Sequence, residues 1–141
     1  MVIEQIARVD DELVSAFARL VPQLSSAPPP AAAELAELIA GRCVLLVARA
    51  APGAPIEGTL TLTFYRIPTG LQARIDDVVV DAAARGQGIA EALSREAIRR
   101  GRDAGARNVT LTSRPDRAAA NRLYQRLGFH RIETNVYRLG F

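Results

Sequence analysis

The stretch Asp76-Asp77-Val78-Val79-Val80-Asp81 followed by Arg85-Gly86-Gln87-Gly88-Ile89-Ala90 constrains this chain more than any other. A β-branched apolar run reads as a buried strand. Two glycines spaced two apart then break it, and an amphipathic pattern begins at Ile89. Strand, glycine turn and helix in that order collect unpaired backbone N–H groups at the positive end of a helix dipole. Such a turn suits a phosphate or pyrophosphate, although an ordinary strand-to-helix turn has the same local pattern. The rest of the chain must separate the two.

At 141 residues the chain is long enough for one domain with a real core, and no internal repeat or boundary divides residues 1–141. No apolar run is long enough to span a bilayer, and Met1-Val2-Ile3-Glu4 lacks the basic-then-apolar pattern of a secretory signal. The single cysteine, Cys43, excludes a disulfide framework and a multi-cysteine zinc site, and reads as a small core residue. No metal is expected. These features fit a cytoplasmic protein without membrane attachment. The net charge is +3, and every basic residue is arginine. Basic charge suits an anionic ligand as well as nucleic acid. Three Tyr, four Phe and no Trp give little material for a base-stacking platform, which argues against nucleic acid.

In chain order, residues 2–9 alternate weakly as a first strand, and Asp10 or Asp11 can cap a helix carrying Leu13, Phe17, Leu20, Val21 and Leu24. Ser25–Pro30 is a connector, and Ala31–Ala40 a second helix ended by Gly41. Val44–Ala48 and Gly58–Tyr65 form an antiparallel pair; Leu60, Leu62 and Phe64 face one way and Thr59, Thr61 and Thr63 the other. A third strand spans Leu71–Val80. The helix Ile89–Ala104 and a strand over Asn108–Ser113 complete a β-α-β unit, which should be parallel. Ala118–Leu127 is a short helix capped by Gly128, and Phe129–Leu139 is expected as one or two closing strands. The result is an α+β (α/β) architecture: a mixed, mostly antiparallel sheet of six to seven strands with helices on both faces.

Two familiar anion sites fail on residues. A dinucleotide fold needs a third glycine where Glu91 stands, and an acid after the next strand. A P-loop needs lysine, which the chain lacks. The run Arg85-Gly86-Gln87-Gly88-Ile89-Ala90 instead resembles the acyl-CoA signature (Arg/Gln)-x-x-Gly-x-(Gly/Ala) of the GNAT superfamily of N-acetyltransferases. Downstream, Asn121-Arg122-Leu123-Tyr124-Gln125-Arg126-Leu127-Gly128-Phe129 resembles that family's Asn-x-(Leu/Phe)-Tyr-x-x-x-Gly-Phe segment. The motifs cover roughly residues 71–130, and the order of elements matches the family throughout. Ile75-Asp76-Asp77-Val78 and Asn135–Leu139 are similar to small bacterial members and, more distantly, to the glucosamine-6-phosphate N-acetyltransferases.

The resemblance implies transfer of acetyl from acetyl-CoA to an amine of a small molecule or peptide, by direct attack in a ternary complex. A non-catalytic acyl-CoA-binding module on the same fold is the alternative. It implies that backbone N–H groups of Arg85, Gly86, Gln87, Gly88, Ile89 and Ala90 hold the CoA pyrophosphate. The pantetheine arm would lie along the edge of Val78, Val79 and Val80, and Asn121 and Tyr124 would also face the cofactor. A bulge near Asp76–Val78 would aim an N–H at the thioester oxygen. Tyr124 takes the family's general-acid role toward the CoA sulfur. Asp76 and Asp77 are candidates for binding or deprotonating the acceptor, with Asp77 ahead. On a regular strand they face opposite ways, and the other should pair with an arginine such as Arg74. His130 reads as a surface strand residue. The early helices would cover the acceptor cleft, and a homodimer through the C-terminal strands is compatible with the family.

Overall fold

A computed structural model describes all 141 residues. Five strands form one sheet in sequence order: β1 (Val2–Gln5), β2 (Cys43–Arg49), β3 (Ile56–Ile67), β4 (Gly70–Val80) and β5 (Val109–Thr110). The first four are antiparallel neighbours, and β5 runs parallel to β4. The helices are α1 (Asp11–Leu20), α2 (Ala32–Ala40), α3 (Ile89–Asp103) and α4 (Ala118–Arg126).

The sheet is buried on both faces, which explains the unbroken apolar run of β2. Leu46 and Ala48 join Leu60, Leu62, Ala73 and Ile75 under Ile89, Leu93 and Ala97 of α3. Leu45 and Val47 face the other way, under Leu13, Phe17 and Leu20 of α1 and Leu35 of α2. Each such leucine or isoleucine withdraws apolar surface worth roughly 1.5–3 kcal/mol from water. Gly58 lets α3 approach: a Cβ there would meet Ile89 Cγ2 at 2.8 Å. The N-cap of α1 is Asp10, which accepts from Leu13 N at 2.8 Å. The helix stops at Leu20 rather than Leu24 because Pro22 turns Val21–Gln23 into a 3-10 turn.

Two expectations need correction. The sheet has five strands, not six to seven, and residues 129–141 form none. β5 meets β4 only at Ala73↔Val109 and Arg74↔Thr110, so it presents no long edge on which a terminal strand could pair. The large apolar residues of the expected closing strands, Ile132, Val136, Tyr137 and Leu139, stand in solvent. His130 is accordingly exposed but lies on no strand.

The helix that carries the glycine turn is held by its own charges. Glu96 accepts from Arg99 Nη2 and Arg100 Nε, each at 2.7 Å. The Arg99 bond, more than partial burial opposes it, lowers the Glu96 carboxyl to about 2 from an ordinary 4.5. A depressed carboxylate stabilises the fold above its unfolded pKa and loses that contribution as pH falls from about 4.5 toward 2. The urea-unfolding difference between wild type and Glu96→Gln should therefore be about 1 kcal/mol at pH 6, allowing for solvent screening, and vanish by pH 2. A difference that persists at pH 2 would show that the ion pairs are not its source.

Candidate active site

β4 does not finish as a regular strand. Thr59 pairs with Val79 and Thr61 with Asp76, so the interval on β4 is one residue longer than that on β3. The extra residue makes a bulge, and Asp77 sits in it at φ 50°, the left-handed region that Asp tolerates better than most residues. The bulge reverses the side-chain parity. Ala73 and Ile75 face α3 before it, Val78 and Val80 face α3 after it, and Val79 turns to the α1 side. It also separates the two carboxylates. Asp76 accepts from Arg74 Nε at 3.0 and 3.2 Å, whereas Asp77 is exposed and has no side-chain partner.

Past Thr110 the two parallel strands part. β4 runs on from Ile75 to Val80 while the chain from Leu111 to Arg114 leaves the sheet. Between them opens a cleft of about 1330 Å3, bounded by the bulge, the glycine turn, the start of α3 and the inner face of α4. Asp76, Asp77, Val78, Val79, Val80, Arg85, Gly86, Gly88, Ile89, Ala90 and Tyr124 all line it. Gln23, Leu24 and Ser25, just after α1, close the far side.

The glycine turn has the backbone that the sequence demands. Gly86 and Gly88 both have φ 79°, and Gly88 caps α3. A Cβ at either would meet no protein atom, so glycine is required there by the left-handed backbone and not by packing. From Arg85 to Glu91 no backbone N–H donates to a protein acceptor. These donors gather at the N-terminus of a fifteen-residue helix and suit an anion. Glu91, the acid nearest them, is held by Arg95 at 2.7 Å and approached by Arg126 at 3.7 Å, which keeps its carboxyl below the usual range and offsets its charge.

The turn is fixed from behind. Asp81 accepts from Ala83 N at 3.1 Å and is paired with Arg19 of α1. Gln23 Oε1 accepts from Ala82 N at 2.8 Å. The links through Arg19 and Gln23 were not legible in the sequence, because those residues and the turn are about sixty residues apart.

Tyr124 is half-buried, with its ring edge-on to Phe129 at 5.8 Å between centroids. Burial pushes its hydroxyl above the ordinary value of 10, partly offset by the Arg117 guanidinium. It is therefore a proton-bearing phenol at neutral pH. Asn121 does not line the cleft; its Nδ2 donates to Arg114 O at 2.9 Å and ties the loop after β5 to α4. Gln87 is exposed and outside the lining, so only its main chain belongs to the turn. Cys43 is half-buried at the start of β2, with Sγ 3.3 Å from Thr63 Oγ1, and is not among the residues that line the cleft.

Comparison with known proteins gives a consistent picture. The model of the acetyltransferase (GNAT) family matches residues 24–129. Glucosamine 6-phosphate N-acetyltransferase 1 of Oryza sativa subsp. japonica is 33% identical over 129 residues, covering 85% of this chain and 75% of that protein. An acetyltransferase of Trypanosoma brucei is 29% identical, with a TM-score of 0.77 over 99% of this chain and 100% of its own. A protein described as a transcriptional regulator from Bacillus halodurans C-125 is 28% identical, with a TM-score of 0.77 and 99% of both chains covered.

Proposed function

The chain belongs to the GNAT family of acetyltransferases, whose members use acetyl-CoA, and on that premise we propose that it moves acetyl from acetyl-CoA to a primary amine by direct attack in a ternary complex. One observation carries the reading. The unpartnered N–H groups from Arg85 to Glu91, the parting of β4 from β5, and Tyr124 all open on one cleft.

The cleft's residues fit that donor. The main-chain donors from Arg85 to Ala90 hold the pyrophosphate, and the edge Val78–Val80 receives the pantetheine arm. The bound donor supplies an activated acyl carbon. The bulge would aim a main-chain N–H at the acyl oxygen, where negative charge develops. The exposed, unpaired Asp77 takes a proton from the acceptor amine, whereas Asp76 is engaged by Arg74 and positions its surroundings. Tyr124 carries the proton that the departing sulfur needs. As the new N–C bond forms and the C–S bond breaks, one proton leaves the amine and one reaches sulfur. Asn121 acts one step back, by fixing the loop at Arg114. Cutting Asp77 to Asn should lower kcat about 10²-fold. Asp76→Asn should have a smaller effect. Equal effects would reject this assignment.

Arg114, Arg117, Arg122 and Arg138 line the cleft without a carboxylate partner within salt-bridge distance. With the name of the rice relative, this makes glucosamine 6-phosphate the first acceptor to test. Thiol release from acetyl-CoA should follow its addition, in a panel with other amino sugars, polyamines and peptides. Acetyl-CoA binding with no release for any amine would favour the non-catalytic module.

A further inference from the structure

The far wall of the cleft is anchored through one amide side chain. Gln23 ends the 3-10 turn after α1, and Leu24 and Ser25, which follow it, line the cleft. Gln23 Oε1 accepts from Ala82 N at 2.8 Å, and its Nε2 donates to Arg19 O at 3.2 Å. Both ends of the amide are therefore used. Beyond it, Ser26–Pro30 make no hydrogen bond to any other element, and Pro28, Pro29 and Pro30 have no N–H to give. Gln23 is thus the last polar anchor of the wall before α2 begins.

What it is anchored to is the base of the glycine turn. Asp81–Ala84 is a tight turn closed by Ala84 N on Asp81 O at 2.9 Å, and Asp81 N donates to Glu57 O on β3 at 2.8 Å. Arg19, paired with Asp81, also donates from Nη2 to Ile56 O at 2.8 Å. At its other end the segment sets Ala84 in the α3-side core, and Arg85 begins the run of unpartnered N–H groups. One short segment therefore holds the wall and leads directly into the donor turn. An anion that fixes the Arg85–Glu91 donors restrains that segment, and a hydrogen bond to a restrained partner opens less often.

We infer that Gln23 is a positioning residue that couples the two halves of the cleft: filling the glycine turn steadies Leu24 and Ser25, the wall that an acceptor must meet. This inference rests on the acetyl-CoA reading above. Coupling is reciprocal, so the factor by which the donor steadies the wall is also the factor by which loss of the link weakens the donor.

Amide hydrogen exchange by NMR, on wild type and Gln23→Ala with and without saturating CoA, tests it. In wild type CoA should slow exchange at Leu24 and Ser25, whose N–H groups close on Val21 O, about five- to tenfold, the low end of ordinary coupling between sites. Ala54, whose N–H closes the β2–β3 loop on Ala51 O, should exchange at an unchanged rate. In Gln23→Ala the slowing at Leu24 and Ser25 should vanish, and the Kd for CoA should rise by a similar factor. A merely structural role would alter exchange in the ligand-free protein and leave the response to CoA intact. No slowing at Leu24 and Ser25 in CoA-saturated wild type, slowing that survives in Gln23→Ala, equal slowing at Ala54, or an unchanged Kd in the variant would each overturn the inference. Wild type that binds no CoA would instead overturn the donor reading itself.

Discussion

Replacing Tyr124 by Phe is expected to lower kcat by about 10²- to 10³-fold while leaving acetyl-CoA affinity within about twofold of wild type. The reasoning starts from position. Tyr124 lies on the inner face of α4, lines the cleft, and keeps its phenolic proton because burial raises its pKa. Phe preserves the ring and its edge-on contact with Phe129, so packing and donor binding are retained. Only the proton is lost. A positioned general acid supplies about 10²- to 10⁴-fold, and water reaching an open cleft recovers part of that. The diagnostic is the split between kcat and affinity. The basic limb of the rate profile should also disappear in the variant, because the raised phenol pKa sets it. An unchanged kcat would remove Tyr124 from the chemistry.

The second large effect concerns the turn. Gly88→Val should raise the Kd for acetyl-CoA about 50- to 100-fold. Gly88 has φ 79°, where a β-branched residue is strained by about 1–3 kcal/mol. Relief of that strain rotates the peptide groups whose N–H vectors converge at the start of α3. Because an added Cβ meets no protein atom, the fold itself should survive, with a melting temperature lowered only by that strain. Loss of affinity in a folded protein separates the site from general damage. Gly105→Val makes a control, since Gly105 has a similar φ of 77° at the other end of α3; it should cost stability without weakening acetyl-CoA.

The sequence was informative where a local rule decides the structure. Asp10 caps α1, Gly86 and Gly88 have the left-handed backbone, and α3 and α4 lie close to their expected bounds. The bulge near Asp76–Val78 followed from the family resemblance, and the parity change across it is visible in which valines reach which core. Elsewhere, distant partners decide. Alternation in residues 129–139 is a real pattern, but a strand also needs an edge, and the two-residue β5 provides none. Asn121 belongs to a recognisable motif, yet its amide is spent on Arg114 O, which only the path of the loop could reveal. Arg49 lies one residue past the expected strand Val44–Ala48, yet it ends β2, is buried and is held by Glu4 at 3.1 Å and Glu12 at 2.6 Å. Those partners come from β1 and α1, and no local pattern announces them.

The same distinction separates the donor from the acceptor. The proposed donor site is built from main-chain groups in a contiguous turn, so its residues could be named from a motif. The proposed acceptor side combines Asp77, the segment after α1 and the arginines around α4, which line one cleft from three separate elements. No single motif spans them.

The most direct measurement is a backbone amide NMR titration of the protein with CoA. The account predicts that the N–H signals of Arg85 to Glu91 shift together and saturate at one equivalent, moving downfield as they become donors to phosphate. Signals of Val78–Val80 should follow at the same midpoint. CoA binding that leaves Arg85–Glu91 unshifted, or no binding at millimolar CoA, would contradict the claim that this turn holds the donor.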